Sequence, residues 1–398
     1  MQKFDLNRFN MERLKLGENE VILNKTTYPN LKIKDGYLVD ANKKRIGTKG
    51  DMYHKLILDK ILQEGCLDHD PRPVYIDFFE GAKYMPRYNS IITKTGRQLE
   101  LSKKDKATQK KNGVEVITPA HTLSVNEGIE CRYDLSIGES PMITLRPIAY
   151  KTSVAEMIWI YVLESNDLVE FDRLLGICTW EKDGKIHNWW EKWALKDAKG
   201  NYILNEKGHP TIGACYGETV RRRHMLQTQV IDEIRKNPDS RRLITSTWQI
   251  DDFQEPHGLK PCAFQTIWNV RHGWDGKDYL DMTLIQRSSD FCTAGCINQV
   301  QYVALQKMVV QELNSDPKIN LTPGYFTWKP INVQIYDRHI ENSIELLHRS
   351  PVEGQCIIMI DPRLTKLVEA TKDSVIIEDY PKEFIKQRNP QLDFELGI

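Results

Sequence analysis

The chain has 398 residues, 40% hydrophobic and 28% charged, and its 55 basic and 55 acidic side chains cancel to a formal net charge of +0. That balance is ordinary for a soluble globular protein, in one large domain or one domain with additions. It argues against a protein devoted to duplex nucleic acid, which carries a basic excess, so no direct nucleic acid binding is expected. No apolar run is long enough to span a membrane, and the N-terminal MQKFDLNRFNMERLKLG lacks the apolar core of a signal peptide. The eight cysteines (Cys66, Cys131, Cys178, Cys215, Cys262, Cys292, Cys296 and Cys356) are scattered without a Cys-x-x-Cys pair. No metal site is therefore expected, and reduced thiols in a cytoplasmic compartment are the natural reading.

In chain order, residues 1–50 carry turn signals at Lys34-Asp35-Gly36 and Asp40-Ala41-Asn42 between short apolar runs. They predict one or two small hairpins, an N-terminal extension to a domain over 51–398. From Asp51 the spacing of Met52, Leu56, Leu58, Ile61 and Leu62 predicts a helix that stops at Gly65. Lys103–Lys111 is a lysine-rich solvated run. Thr152–Leu163 is apolar on nearly every side except at Glu156, which predicts a buried helix. A carboxylate there is costly unless a polar cleft or a partner receives it. Leu195–Ile212 reads as a hairpin turning at Lys199-Gly200 or at Glu206-Lys207-Gly208, and Leu226–Ile234 reads as a helix.

The stretch from Pro261 to Asn298 is the densest in chemistry. Alternation makes Phe264–Val270 and Tyr279–Ile285 strands. If these are antiparallel neighbours, Cys262 at the start of the first lies close to Arg287 at the end of the second. A thiolate beside a fixed guanidinium is stabilised and can act as a nucleophile near neutral pH. Taken alone, a cysteine in a strand is more often a small buried hydrophobe, and an arginine at a strand end more often faces solvent. Asn298–Leu313 then predicts an amphipathic helix, Pro323–Trp328 a strand, and His339–Arg349 a last helix.

Pro261-Cys262, the run Gln286-Arg287-Ser288-Ser289-Asp290, and Asn298 eight residues beyond Asp290 together resemble the signature of thymidylate synthases and the related pyrimidine nucleotide hydroxymethylases. The resemblance spans roughly Asp51 to Ile398, is strongest from Asn237 to Tyr336, and makes about 73–119 and 195–212 insertions. It implies an α+β fold, a large mixed β-sheet backed by helices, with the sheets of two subunits packed together as a homodimer. It implies Cys262 as nucleophile toward carbon 6 of dUMP, Glu156 handling protons, and Tyr216, in Gly213-Ala214-Cys215-Tyr216-Gly217, holding water. Arg287, Ser288 and Arg72 would bind the phosphate, joined by Arg241 and Arg242 reaching over from the neighbouring subunit. Gln286, Asn298, Gln334 and Tyr336 would hold base and sugar. Trp190, Trp193 and Asp290 would hold 5,10-methylenetetrahydrofolate, with no metal.

An asparagine at 298 offers one donor and one acceptor, which suit uracil, whereas an aspartate there suits cytosine. Three departures from ordinary synthases stand out: Ala263 and Gln334 at places where histidine is usual, and Thr293-Ala294-Gly295-Cys296-Ile297 near the folate. On these the sequence favours the hydroxymethylases that supply modified pyrimidines for viral DNA, with 5-hydroxymethyl-dUMP as product in the host cytoplasm. A thymidylate synthase making dTMP and dihydrofolate is the alternative, and an inactive nucleotide-binding homologue the third.

Overall fold

The structure is a computed structural model, described over residues 11–16, 19–24, 32–67, 83–85, 90–92, 98–100, 122–126, 128–197, 199–253, 260–336 and 339–394. Arg72, the Lys103–Lys111 run and the last four residues lie outside the described residues.

Two hairpins lie in residues 1–50: β1 (Met11–Leu16) with β2 (Asn19–Asn24), and β3 (Ile33–Lys34) with β4 (Tyr37–Leu38). Helix α1 (Lys49–Glu64) starts where Thr48 and Asp51 form a capping box, each side chain accepting from the other's backbone N–H. It buries Met52, Leu58, Ile61 and Leu62 of the stripe read from the sequence, with Ile57 buried in place of Leu56, and ends at Gly65. Asp51 is fully buried yet satisfied, because Thr144 donates to it through both backbone and hydroxyl.

Short strands β5 (Cys66–Leu67), β6 (Lys83–Met85), β7 (Ser90–Ile92) and β8 (Gln98–Glu100) precede β9 (Thr122–Val125) and β10 (Cys131–Asp134). Next come α2 (Tyr150–Met157), α3 (Leu168–Leu175), α4 (Gly217–Arg223) and α5 (Asp232–Lys236), then β11 (Ile244–Ser246), β12 (Ala263–His272) and β13 (Asp278–Asp290). Helix α6 (Cys296–Leu313) leads to β14 (Leu321–Tyr336), α7 (Ile340–His348), the hairpin β15 (Ile357–Ile360) and β16 (Val375–Glu378), and α8 (Lys382–Arg388).

The central sheet runs β11-β12-β13-β14-β9-β5, with β10 also on β14. Strands β12 and β13 are antiparallel, as expected, but β13 and β14 are parallel, so the sheet is mixed. Parallel neighbours need a crossover, and α6 is that crossover. It lies against β13, β14, α2 and β15 with 13 of its 18 residues buried. Alternation along β13 turns Leu280, Met282, Leu284 and Gln286 into the core, whose largest fully buried members are Trp159, Trp268, Trp328 and Tyr133.

Two local differences from the sequence reading have physical causes. The helix expected over Thr152–Leu163 widens after Met157: Leu163 N donates to Ile158 O, a π turn that follows Glu156 directly. Leu226–Ile234 contains a second π turn at Gln227–Ile231. In Leu195–Ile212 both candidate turns exist, with Gly200 and Gly208 at positive φ.

Candidate active site

Cys262 sits half-buried just before β12, beside a β-bulge between Ala263 and Gln265. Antiparallel pairing of Ala263 with Gln286 carries Arg287 alongside: its backbone N–H donates to Cys262 O at 2.9 Å, and its Nη2 reaches Cys262 Sγ at 3.5 Å. The same guanidinium donates through Nε to Pro261 O at 2.9 Å and through Nη2 to Lys260 O at 2.8 Å. The cation is thus tied to the backbone that presents the thiol, and these bonds leave the Nη1 hydrogens for an anionic ligand. On the other side the Tyr216 hydroxyl accepts from Cys262 N at 2.9 Å. Burial pushes this phenol far up, keeping it neutral.

Tyr216 is held in turn by a strained junction. Its φ is 44°, and the next residue must be glycine, since a Cβ on Gly217 would lie 1.9 Å from Ser165 O. Trp190 packs edge-on to Tyr216, with ring centroids 5.5 Å apart, and tilts against Trp193 at 5.4 Å. The turn Trp189–Trp193 that carries these indoles is capped by buried Asn188, which accepts from Trp190 N and donates to Asp172.

Glu156 faces this wall. Burial raises its carboxyl to about 7, with the Gln301 amide and the Trp190 and Trp189 indoles partly offsetting that cost. Glu156 and Cys262 both contribute to raising the Tyr216 phenol, whose hydroxyl is also the partner of Cys262 N. A carboxyl poised near 7 can take and return protons at neutral pH.

At the end of β13, Gln286 is buried and donates to Asn298 Oδ1 at 3.1 Å, while Asn298 Nδ2 donates to Gln301 Oε1 at 3.0 Å. Ser288 Oγ donates to Gln334 Oε1 at 3.3 Å, a contact made possible because Ser288 and Asp290 pair with Asn332 and Gln334 across the parallel strands. Tyr336 is buried and packs against the His339 ring. Asp290 lies at the head of the next turn, where burial raises its carboxyl to about 6. Its Oδ1 accepts from Thr293 N, while its Oδ2 is buried without a hydrogen-bond partner among the described residues. A buried acceptor of this kind and the indole faces of Trp190 and Trp193 fit a flat heterocycle carrying N–H groups, so the residues present suit a pterin.

Not every expected residue converges. Arg241 and Arg242 are exposed on the loop before β11, and Arg242 lines a separate cavity of about 440 Å³ with Arg223 and Ser246. Arg72 lies outside the described residues. A larger concavity, about 890 Å³, is lined by Glu164, Asp167, Glu218, Arg221 and Asp252 and holds none of the converging side chains. Three residues were not singled out from the sequence: Gln301, Trp189 beside Glu156, and Trp328, whose indole donates to Gln286 Oε1. The one available signal was a glutamine three residues after Asn298 on a helix that is apolar around it.

Comparison with known proteins gives a consistent result. The family model described as Thymidylate synthase matches residues 99–389. A thymidylate synthase of Streptococcus suis (strain 05ZYH33) is 35% identical over 354 residues, which span 88% of this chain and 100% of that one. One from Lactococcus lactis subsp. lactis (strain IL1403) is 35% identical over 267 residues, covering 67% and 84%. Among solved structures, thermostable thymidylate synthase A from Bacillus subtilis has the same fold, with a TM-score of 0.60 at 23% identity over 87% of this chain and 99% of that one.

Proposed function

The chain belongs to the thymidylate synthase family, a family of one-carbon transferases, and on that premise we propose that it moves a one-carbon unit from 5,10-methylenetetrahydrofolate to carbon 5 of dUMP and completes the reaction as dTMP. The observation that carries this reading is the contact of Arg287 Nη2 with Cys262 Sγ, with the Tyr216 hydroxyl accepting from Cys262 N on the other side.

Carbon 5 of uracil is a poor nucleophile. Attack of the Cys262 thiolate on carbon 6 converts the ring to an enolate and makes carbon 5 reactive. Arg287 stabilises the thiolate and offers its remaining N–H groups to the phosphate with Ser288. Asn298 pairs with the base, Gln334 and Tyr336 border the sugar, and Tyr216 and Glu156 relay protons. Trp190, Trp193 and Asp290 would hold the folate, which when bound supplies the methylene carbon and the reducing hydride. Arg241 and Arg242, remote from Cys262 within one chain, suit a role in the site of a second subunit; thymidylate synthases bind dUMP and work as dimers.

The dTMP ending is supported by the names of the relatives and by the position of Ala263. This residue is buried in the core with its carbonyl toward Tyr302, so its departure from histidine does not alter the cleft wall. The water-terminated ending, 5-hydroxymethyl-dUMP, keeps two supports: Gln334 at the sugar, and the run Thr293–Ile297 beside Asp290. Mass spectrometry of the nucleotide after incubation with dUMP and methylenetetrahydrofolate, with folate oxidation followed by absorbance, separates them. The expected outcome is dTMP with dihydrofolate. Hydroxymethyl-dUMP with unoxidised tetrahydrofolate would establish the water route, and no product would remove the enzymatic reading of this site.

A further inference from the structure

An asparagine reads a base only as well as its amide is oriented. With Oδ1 and Nδ2 exchanged, the same side chain offers cytosine the complementary pattern that it otherwise offers uracil. Amide orientation is therefore a specificity question, and here it is answered by a chain of hydrogen bonds that runs in one direction.

The chain begins at the Trp328 indole, a group that can only donate, which gives its N–H to Gln286 Oε1 at 2.9 Å. Gln286 Nε2 donates to Asn298 Oδ1 at 3.1 Å and also to Ser288 O at 2.9 Å. Asn298 Nδ2 donates to Gln301 Oε1 at 3.0 Å. Gln301 Nε2 donates to Ser153 O at 3.1 Å, a carbonyl that can only accept. Gln301 also hydrogen-bonds Glu156, stabilising its charged form.

Amide oxygen and nitrogen are assigned from their partners, and this network admits one assignment. Reversing it would set the Trp328 N–H against an NH2 group, and the Gln301 oxygen against the Ser153 carbonyl. Gln286, Gln301 and Trp328 are all buried, where such mismatches are not relieved by water.

We propose that Trp328 and Gln301 are specificity-determining positioning residues, which lock the Asn298 amide from both ends and so make the site select uracil over cytosine. Neither need touch the nucleotide; each acts through Asn298. The proposal rests on the reading above that Asn298 faces the base.

The test is calorimetric binding of dUMP and dCMP to the full chain and to Trp328→Phe, Gln301→Met and the double variant, with turnover of both nucleotides measured alongside. The native chain is expected to prefer dUMP. Removing one lock should narrow the dUMP:dCMP affinity ratio about threefold, and removing both about tenfold, as expected for hydrogen bonds of this kind. A role in packing alone would weaken both nucleotides in proportion, and an unchanged ratio in the double variant overturns the proposal. If Trp328→Phe does not fold, an unchanged ratio in Gln301→Met overturns it. A native chain that binds dUMP selectively but turns over neither nucleotide would defeat the proposed reaction while the ratios still decide the lock. A native chain with no preference between the two overturns the lock itself.

Discussion

The two ends of the proposed nucleotide site are built on opposite plans. Around Gln286, Asn298 and Gln301 the amides are buried or half-buried and linked to partners in the same chain. On the loop before β11, Arg241 and Arg242 are exposed, and no hydrogen bond or ion pair engages their guanidiniums among the described residues. The loop itself is not slack, since His272 joins Asp239 to Asp278 across it. Recognition of a neutral base needs donors and acceptors whose directions are fixed before the ligand arrives, and burial with full satisfaction fixes them. Recognition of a phosphate needs charge within reach, so its side chains can stay in water until a ligand or a second subunit meets them.

The harshest challenge to the comparison is at the thiol. Cys262→Ala is expected to abolish turnover while the amide chain and the arginines still bind dUMP, measured by product formation and by calorimetry; retained turnover would remove Cys262 from the chemistry. A smaller effect tests the loop. Cys262→Ala and Arg242→Ala chains, each of low activity alone, should regain part of the activity when mixed and allowed to exchange subunits, because one site in each mixed dimer then has every group. Mixtures no more active than their components would place Arg242 outside the neighbouring site.

The mildest effect concerns the proton. Glu156 has its carboxyl raised from 4.5 to about 7 by burial, so between those pH values the folded chain keeps a proton that the unfolded chain has lost. Stability from this group therefore declines as pH rises through that window and levels off above it. Glu156→Gln should gain thermal stability relative to the native chain at pH 8 compared with pH 4. A difference in midpoint that is the same at both pH values would show that burial of this carboxyl does not govern it.

Much of this was legible in the sequence because it depends on local pattern. Alternation marks β12 and β13, and once these are neighbours the approach of Arg287 to Cys262 follows from the ladder. The apolar run around Glu156 announces a buried carboxylate. What was not legible depends on partners far apart in the chain. Trp328 acts through a residue 42 positions away, and Gln301 through a carbonyl 148 positions away, neither of which leaves a spacing to read. The π turn after Glu156 was hidden because a helix of either kind buries the same apolar run. Ala263 was legible only as a departure beside the nucleophile; its burial in the core is set by the strand it opens.

The parallel pairing of β13 with β14 has a consequence for how the protein comes into being. Arg287, Asp290, Asn298 and Gln334 lie on one continuous strand–helix–strand crossover, and the ladder that joins its two ends closes a long loop of chain. Such closure is entropically costly and belongs to the slower steps of folding. Trp328 and Gln334 therefore meet Gln286 and Ser288 only once that loop has closed. The amide chain proposed to orient Asn298 is in this way complete only when the two ends of the crossover are joined.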